Sequence, residues 1–178
     1  MFSFSEGMKL YLVQHGEAKR EEEDPSRPLT ENGRIEVERV AEFLVRAGVK
    51  VDRILHSGRL RAAQTAEILA KYLRPSRGVE STEGLEPLAD PSIWAEKLRE
   101  VDEDLMLVGH LPHLTKLVSL LTVGSSEFQI VEFRYGGVVC LERKAGGSWS
   151  ILWIIRPDII PASSPCPEEI MSMRMDPE

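Results

Sequence analysis

The stretch that decides the fold is LYLVQHGEA, residues 10–18, in which an apolar run is followed by His15. A second stretch, MLVGHLP at residues 106–112, repeats this arrangement, because its apolar run is followed by a glycine and His110. Short apolar runs that end at a glycine-marked turn are typical of strands in an open α/β sheet, whose ligand crevice lies at the carboxyl ends of the strands. We therefore expect the two histidines to meet at one edge of a sheet.

Helical patterns alternate with the strand-like runs along the first two thirds of the chain. Three such alternations predict a mainly parallel sheet with helices on both faces, that is, a three-layer α/β/α sandwich. Thr30 is the predicted N-cap of the first helix, and Gly48 is its predicted end. The predicted strands are Lys9–Val13, Ile54–Leu55 and a run that ends near Gly109, and the predicted helices are 31–47, 59–73, 91–100 and one that starts at Pro112.

The last third of the chain has a different pattern. Residues 130–155 predict three short strands, joined by tight turns at Gly136–Gly137 and Gly146–Gly147. Five prolines and little periodicity follow from residue 157, so we expect a tail that is extended over the surface or mobile. The predicted organisation is an N-terminal extension at 1–7, one domain at 8–156 and a proline-rich tail at 157–178.

Composition restricts the classes of partner. The chain has 178 residues, of which 42% are hydrophobic and 29% charged, which suits one domain with a sizeable core. Its formal charge of −7 disfavours nucleic acid, and its apolar runs are too short to span a membrane. The first residues lack the order of a signal peptide, and Cys140 and Cys166 show no metal or disulfide spacing. We expect a cytoplasmic protein that binds neither nucleic acid nor membrane.

Histidines in such a crevice suit phosphoryl chemistry. One histidine can attack phosphorus and carry it as a covalent intermediate, while a second donates hydrogen bonds to the phosphoryl oxygens. Gly16 lets the backbone approach a ligand closely, and we expect its N–H to face an anion. Either His15 or His110 taken singly also fits an ordinary turn histidine, so the prediction depends on the pair.

Two arginines are candidates for binding an anion. Arg61 falls in the opening turn of a helix that follows a strand, where free N–H groups and the helix dipole favour negative charge. Its guanidinium would add two charge-assisted hydrogen bonds to a phosphate. Arg27 lies in the loop before the first helix. The alternative for both is a solvated side chain, which is the commoner case for a loop arginine such as Arg27.

These residues resemble the histidine phosphatase superfamily, specifically its small SixA-type phosphohistidine phosphatases. The resemblance spans roughly residues 8–156 and implies a phosphoglycerate mutase-like fold, in a compact form without a large insertion. Each motif is short, but their order and spacing make coincidence improbable. The motifs are His15-Gly-Glu-Ala, Arg27-Pro-Leu-Thr followed by Gly33, Ser57 followed by Arg61-Ala-Ala-Gln-Thr65, and Gly109-His110-Leu-Pro.

The resemblance implies a metal-independent phosphatase that needs no cofactor. His15 would attack the substrate phosphorus and form a phosphohistidine that water then hydrolyses. Arg61 and Arg27 would neutralise the phosphoryl oxygens, and His110 would complete the pocket. Ser57 is expected to cap the Arg61 helix, with phosphate contact as the alternative.

One position departs from the family pattern. The superfamily usually has arginine immediately before the nucleophilic histidine, whereas this chain has Gln14. A charge-assisted hydrogen bond contributes about 1.5 to 3 kcal/mol, so the loss would weaken turnover roughly 10- to 100-fold if nothing compensates. The proton donor is also open, with Glu17 and Glu86 as candidates that are equally compatible with solvated carboxylates.

Three functions remain open from the sequence. The first is hydrolysis of phosphohistidine on a protein, which suits a weak proton donor because imidazole leaves more readily than an alcohol. The second is hydrolysis of small-molecule phosphomonoesters. The third is a phosphate-binding or phosphohistidine-binding module that Gln14 has made weakly active or inactive. The partner is accordingly a phosphohistidine-bearing protein or a small phosphorylated substrate, and the oligomeric state is undetermined.

Overall fold

Strands and helices alternate along the chain in the computed structural model, which describes residues 7–162. The strands are β1 (Lys9–Gln14), β2 (Arg53–His56), β3 (Val79–Ser81), β4 (Leu105–Gly109), β5 (Val138–Arg143) and β6 (Trp149–Ile155). The helices are α1 (Glu31–Arg46), α2 (Leu60–Leu73), α3 (Pro91–Lys97), α4 (His113–Val123) and a short 3₁₀ helix at Pro157–Ile159.

The six strands form one mixed sheet in the order β3-β2-β4-β1-β5-β6. Strands β1 to β4 are parallel to one another, whereas β5 and β6 are antiparallel additions beside β1. The prediction of a mainly parallel sheet within an α/β fold is therefore confirmed. The sequence pattern does not predict strand β3, because this strand has only three residues, all of them exposed, and therefore lacks an apolar run.

The strand predicted before Gly136 is absent, because residues 128–134 adopt no regular structure. The two glycines pair with the end of β1 instead of closing a hairpin. The Gly136 N–H donates to the carbonyl oxygen of Gln14 at 3.0 Å, and the Gln14 N–H donates to the carbonyl oxygen of Gly137 at 3.3 Å. The prediction of three strands in this region is thus wrong, and only the hairpin of β5 and β6 exists.

The sheet has a separate apolar core on each face. Successive residues of a strand point to opposite faces, so Leu10 and Leu12 belong to one core, and Tyr11 and Val13 belong to the other. Helices α3 and α4 cover the first core, and α1 and α2 cover the second. This arrangement is the three-layer sandwich that the sequence predicts.

The helix ends agree closely with the caps in the sequence. Thr30 is the N-cap of α1, and its side chain accepts a hydrogen bond from the Gly33 N–H at 2.9 Å. Helix α1 ends at Arg46, whereas the predicted helix extends to Ala47. Gly48 follows in the left-handed region at φ 76°. Helix α3 ends at Lys97 rather than at the predicted residue 100, and turns follow it.

Packing continues past the end of β6. Pro157 and Ile160 are buried, and Ile160 belongs to the core beneath α1 and α2. The first residues of the predicted tail therefore pack against the domain and are not free of it. The rest of that tail, with Cys166, and the predicted extension up to residue 6 lie outside the described residues. None of the helices within residues 7–162 is long and apolar enough to cross a membrane.

Candidate active site

The carboxyl ends of β1 and β4 bring the two predicted histidines together. Gln14 pairs with Gly109 in the parallel register, and each of these residues is followed directly by a histidine. The His15 N–H donates to the Gly109 carbonyl oxygen at 3.0 Å, and the imidazole centroids of His15 and His110 lie 5.0 Å apart. The predicted convergence of two imidazoles at one sheet edge is confirmed.

His15 is held as a neutral imidazole with one free nitrogen. Its Nδ1 lies 2.7 Å from the Gly16 carbonyl oxygen. Because a carbonyl oxygen only accepts, Nδ1 carries the proton and Nε2 keeps its lone pair. The pKa of His15 is lowered to about 4, and burial is the largest cause. The hydrogen bond to Gly16 opposes this lowering, whereas the charges of Arg61 and Arg27 contribute to it. At neutral pH the ring therefore has the electronic state of a nucleophile.

His110 is the more deeply buried of the two imidazoles. Its Nε2 lies 2.6 Å from the Ser57 hydroxyl oxygen, and its Nδ1 has no hydrogen-bond partner among the described residues. The pKa of His110 is lowered to about 3; burial is the largest cause, followed by repulsion from the protonated form of His15 and from the charge of Arg61. The ring is neutral in the free protein and lies in a positive field that an anion would relieve.

Ser57 has a different role from the one predicted. The N-cap of α2 is Arg59, which makes no side-chain capping bond, so Ser57 does not cap this helix. Ser57 follows β2, and β2 pairs with β4 so that the serine arrives beside His110. Its hydroxyl and the His110 ring share the 2.6 Å hydrogen bond described above. The structure therefore links Ser57 to the histidine pair.

The two predicted arginines lie on the side of the pocket next to His15. Arg61 is the second residue of α2, is buried, and has an Nε without a hydrogen-bond partner among the described residues. Burial lowers the pKa of Arg61, and the charges of Arg27 and Arg59 lower it further. Arg27 has a left-handed backbone at φ 48°, and its Nε donates to the Lys19 carbonyl oxygen at 3.1 Å. Both charges act on His15, as the pKa of that ring shows.

Gly16 serves close packing and does not offer a free N–H. Its N–H donates to the Thr65 hydroxyl oxygen at 3.0 Å, so the expectation that this group faces an anion is wrong in this structure. A Cβ at position 16 would lie 2.8 Å from Val37 Cγ2, closer than real Cβ atoms approach. Gly16 is therefore required where β1 passes beneath α1.

Thr65 is a site residue that the sequence did not reveal. Its hydroxyl accepts from the Gly16 N–H and donates to the Arg61 carbonyl oxygen at 2.7 Å. One side chain thus connects the turn after the nucleophilic strand to the first turn of α2. In the sequence, Thr65 falls on the apolar stripe of that helix, and only the contact with Gly16 distinguishes it from a core residue.

The two candidate proton donors have different surroundings. The Glu17 carboxylate accepts a hydrogen bond from the Thr30 hydroxyl at 2.7 Å, which ties it to the start of α1. The Glu86 carboxylate accepts from the Gly84 N–H at 3.0 Å. Burial lowers the pKa of the fully buried His113, and the negative charge of Glu86 opposes this shift. The segment that carries Glu86 lies beside the strand that precedes His110, because the carbonyl oxygen of Leu85 would lie 3.3 Å from a Cβ at Gly109.

Gln14 is buried at the position directly before His15. Its Oε1 has no hydrogen-bond partner among the described residues. A neutral amide therefore takes the place of the arginine that the superfamily usually has. In the part of the chain that the structure describes, no group of three or more His, Cys, Asp or Glu side chains is arranged to hold a metal ion.

Tyr135 is a second site residue that the sequence did not reveal. Its ring centroid lies 5.5 Å from that of His15, with the two rings tilted by 42°. Tyr135 precedes the Gly136–Gly137 pair, whose composition predicts a hairpin turn. No local pattern marks it, because its contact with His15 spans 120 residues of chain.

Comparison with known proteins identifies the family of this chain. A profile of the histidine phosphatase superfamily, branch 1, matches residues 10–89. An uncharacterized protein of Picosynechococcus sp. is 36% identical over 146 residues, which cover 78% of this chain and 87% of that protein. The phosphohistidine phosphatase SixA of Escherichia coli is 30% identical over 124 residues, which cover 67% of this chain and 77% of SixA.

The solved structures include one of the protein histidine phosphatase SixA complexed with tungstate. It superposes with a TM-score of 0.77 at 26% identity and covers 85% of this chain and 98% of that chain. The fold, the paired histidines and these likenesses agree: the chain belongs to the histidine phosphatase superfamily and, within it, to the SixA type. Its activity class is that of a phosphatase.

Proposed function

We propose that this phosphatase removes the phosphoryl group from phosphohistidine on a partner protein, through an intermediate on His15. The observation that carries the proposal is the state of His15, whose Nδ1 is fixed by the Gly16 carbonyl and whose buried ring is neutral. Its similarity to the phosphohistidine phosphatase SixA of E. coli supports this substrate class. The tungstate in the SixA structure also supports it, because tungstate is a tetrahedral oxyanion like phosphate.

The reaction takes place in two displacements at phosphorus. In the first, the lone pair of His15 Nε2 forms a bond to phosphorus, and the bond from phosphorus to the substrate imidazole breaks. The departing nitrogen keeps the electron pair and takes up a proton. In the second, a water oxygen attacks phosphorus, the bond to Nε2 breaks, and the water gives up a proton. Inorganic phosphate leaves and His15 regains its lone pair.

Positive charge around the phosphoryl group stabilises both displacements. Arg61 at the start of α2 and Arg27 in the loop before α1 supply guanidinium groups, and the N-terminus of α2 adds partial positive charge. A bound dianion favours the charged form of a nearby imidazole, so His110 takes up a proton when phosphate binds. Ser57, hydrogen-bonded to His110 Nε2, orients that ring. The proposed mechanism uses no metal ion and no cofactor.

Glu86 is the proton donor in this proposal. Its segment lies beside the strand that precedes His110, whereas the Glu17 carboxylate is hydrogen-bonded to Thr30 at the start of α1. Imidazole leaves with a reference pKa near 6.5, far below that of an alcohol, so phosphohistidine needs less help from this acid than an ester does. This difference makes Glu86 a probe of the substrate class.

The short connection between α3 and β4 favours a protein substrate. Only residues 98–104 connect α3 to β4, so no large insertion enters here to cover the histidine pair. A side chain on the surface of a folded partner can then reach the pocket. Without a large insertion between α3 and β4, a small phosphate ester would gain less binding from its non-reacting parts.

Phosphate release tests the proposal directly. The protein and its His15→Ala variant are given a phosphohistidine protein and a panel of phosphate esters, and pulse labelling is used to detect phosphoryl groups on the enzyme. We expect acid-labile label on His15, faster release from phosphohistidine than from esters, and no release by His15→Ala. The control is His56→Ala, which removes an imidazole whose Nδ1 only accepts from the nearby Gly58 N–H at 3.0 Å.

Two outcomes would replace the proposal. Faster release from esters than from phosphohistidine would make the protein a small-molecule phosphomonoesterase. Tight binding of phosphohistidine without label or release would make it a binding module that Gln14 has made inactive.

A further inference from the structure

An aromatic ring that has no role in the mechanism above lies beside the nucleophile. Tyr135 contacts His15 with ring centroids 5.5 Å apart, yet it remains 43% exposed. The other ring against His15 is that of His110, which is only 2% exposed. His15 therefore has a buried imidazole as one neighbour and a half-exposed phenol as another.

The position of Tyr135 is fixed by the backbone of the nucleophilic strand. The next residue, Gly136, donates its N–H to the carbonyl oxygens of Gln14 at 3.0 Å and His15 at 3.3 Å. Gly136 is buried and has a left-handed backbone at φ 73°, which glycine adopts without strain. Tyr135 is thus attached to the turn that carries His15, although it lies in an irregular segment.

The direction of attack places the leaving group near this ring. His15 Nε2 approaches phosphorus on one side, and an in-line displacement expels the leaving group on the opposite side. His110 and Arg61 are buried beside the nucleophile, so the leaving group of a protein substrate must lie towards solvent. Tyr135 is the aromatic ring at this exposed side that also contacts His15. Tyr135 also opposes the lowering of the pKa of Arg61 that burial causes.

We infer that Tyr135 is a wall of the substrate pocket that contacts the leaving group and favours flat aromatic groups over aliphatic ones. The imidazole of phosphohistidine is such a group. Offset or edge-to-face contact between two rings is favourable at centroid separations of about 4.5 to 7 Å. The inference rests on the proposed function, because it uses the direction of attack from His15. It assigns substrate preference to a residue that takes no part in proton or phosphoryl transfer.

Binding of two phosphonates tests the inference without turnover. Phenylphosphonate places a flat ring where the leaving group would be, methylphosphonate places a methyl group there, and neither P–C bond is hydrolysed. We expect Tyr135→Leu to weaken phenylphosphonate binding about three- to tenfold and methylphosphonate binding less than about twofold, in calorimetric titrations. Tyr135→Phe should retain the preference, because it keeps the ring.

The matched control is Phe128→Leu, which removes an exposed aromatic ring from the same segment, 57% exposed and without a ring contact to His15 among the described residues. Equal loss for both phosphonates in Tyr135→Leu would show that Tyr135 only positions His15, and no loss would show that it contacts no ligand. Either result overturns the inference. Failure to release phosphate from phosphohistidine, with the phenyl preference intact, would overturn the proposed function alone.

Discussion

At the scale of single residues, burial sets the chemistry of this site more than any other factor. Desolvation is the largest cause of the low pKa values of His15 and His110, about 4 and about 3. A nucleophile must keep its lone pair at neutral pH, and a buried imidazole surrounded by cations does so. The same cations would repel a protonated His15 and attract a phosphate dianion. In the proposed mechanism, one set of charges thus keeps His15 unprotonated and binds the phosphoryl group.

Gln14→Arg is expected to strengthen the site without changing the fold. Position 14 is buried directly before His15, and its amide oxygen has no partner among the described residues. A guanidinium there would add a charge-assisted hydrogen bond to phosphate, and we expect kcat/KM to rise roughly 10- to 100-fold. Steady-state kinetics on phosphohistidine and ester substrates would measure this. The control is Gln14→Met, which has similar length and no charge, and unchanged kinetics for Gln14→Arg on every substrate would contradict the prediction.

Glu86→Gln is expected to separate the two substrate classes. An alcohol leaving group requires a proton donor, and general acid catalysis contributes about 10²- to 10⁴-fold. We expect the rate of ester hydrolysis to fall by about 10²- to 10⁴-fold and the rate of phosphohistidine hydrolysis to fall much less. Glu17→Gln is the matched control, because its amide oxygen can still accept from Thr30. An equal effect of Glu86→Gln on both classes, or the same pattern in Glu17→Gln, would exclude Glu86 as the proton donor.

At the scale of elements, the site depends on how α2 is attached to the end of β1. Thr65 forms this attachment, since its hydroxyl bridges the Gly16 N–H and the Arg61 carbonyl oxygen. Gly33 allows α1 to approach the same turn, because a Cβ there would lie 2.2 Å from the Glu17 carbonyl oxygen. Two helices are therefore held against the two residues that follow β1.

Thr65→Val is expected to loosen this attachment while preserving the volume of the side chain. The Gly16 N–H would lose its partner in a buried position, which costs about 1 to 3 kcal/mol of unfolding free energy. The start of α2 would be held less firmly against the turn after β1, so we expect kcat to fall about tenfold, which corresponds to about 1.4 kcal/mol of activation free energy. Denaturant titration and kinetics check both effects. Thr65→Ser keeps the hydroxyl and should restore activity; failure to do so would mean that the methyl group is the important part.

At the scale of the whole molecule, three buried neutral histidines make stability depend on pH. His15, His110 and His113 all have pKa values below that of a free imidazole, with burial as the largest cause. The unfolded chain binds protons near pH 6.5, whereas folded His15 does so only near pH 4. Between these values the unfolded state holds more protons, so stability rises with pH across this window.

We therefore expect the free energy of unfolding to fall as the pH falls from about 6.5 to about 4. The lowering of the His15 pKa from 6.5 to about 4 would alone account for a loss of unfolding free energy on the order of 3 kcal/mol, because each pKa unit corresponds to about 1.36 kcal/mol. Denaturant titrations at several pH values measure the slope, and His15→Gln should reduce it. A stability that stays constant through this window would show that these imidazoles are not buried in the neutral form.

The sequence by itself determined the central strands, the main helices and the meeting of the two histidines at one edge of the sheet. Apolar runs ending before His15 and His110 fixed the two central strands, and Thr30 fixed the start of α1. These signals are local, because strand burial and capping depend on residues a few positions apart. The placement of both histidines and Arg61 then followed from the rule that parallel strands end at one edge of a sheet.

Only the tertiary structure decided how that edge is completed. Ser57 against His110, Thr65 against Gly16 and Tyr135 against His15 are contacts between segments 49 to 120 residues apart. No local periodicity encodes such contacts, since each depends on strand order and on the angle at which a helix packs. The Gly136–Gly137 pair shows the same limit. The Gly137 N–H closes a tight turn onto the Arg134 carbonyl oxygen at 2.8 Å, as the composition suits, but both glycines also bond to the end of β1, which no local pattern predicts.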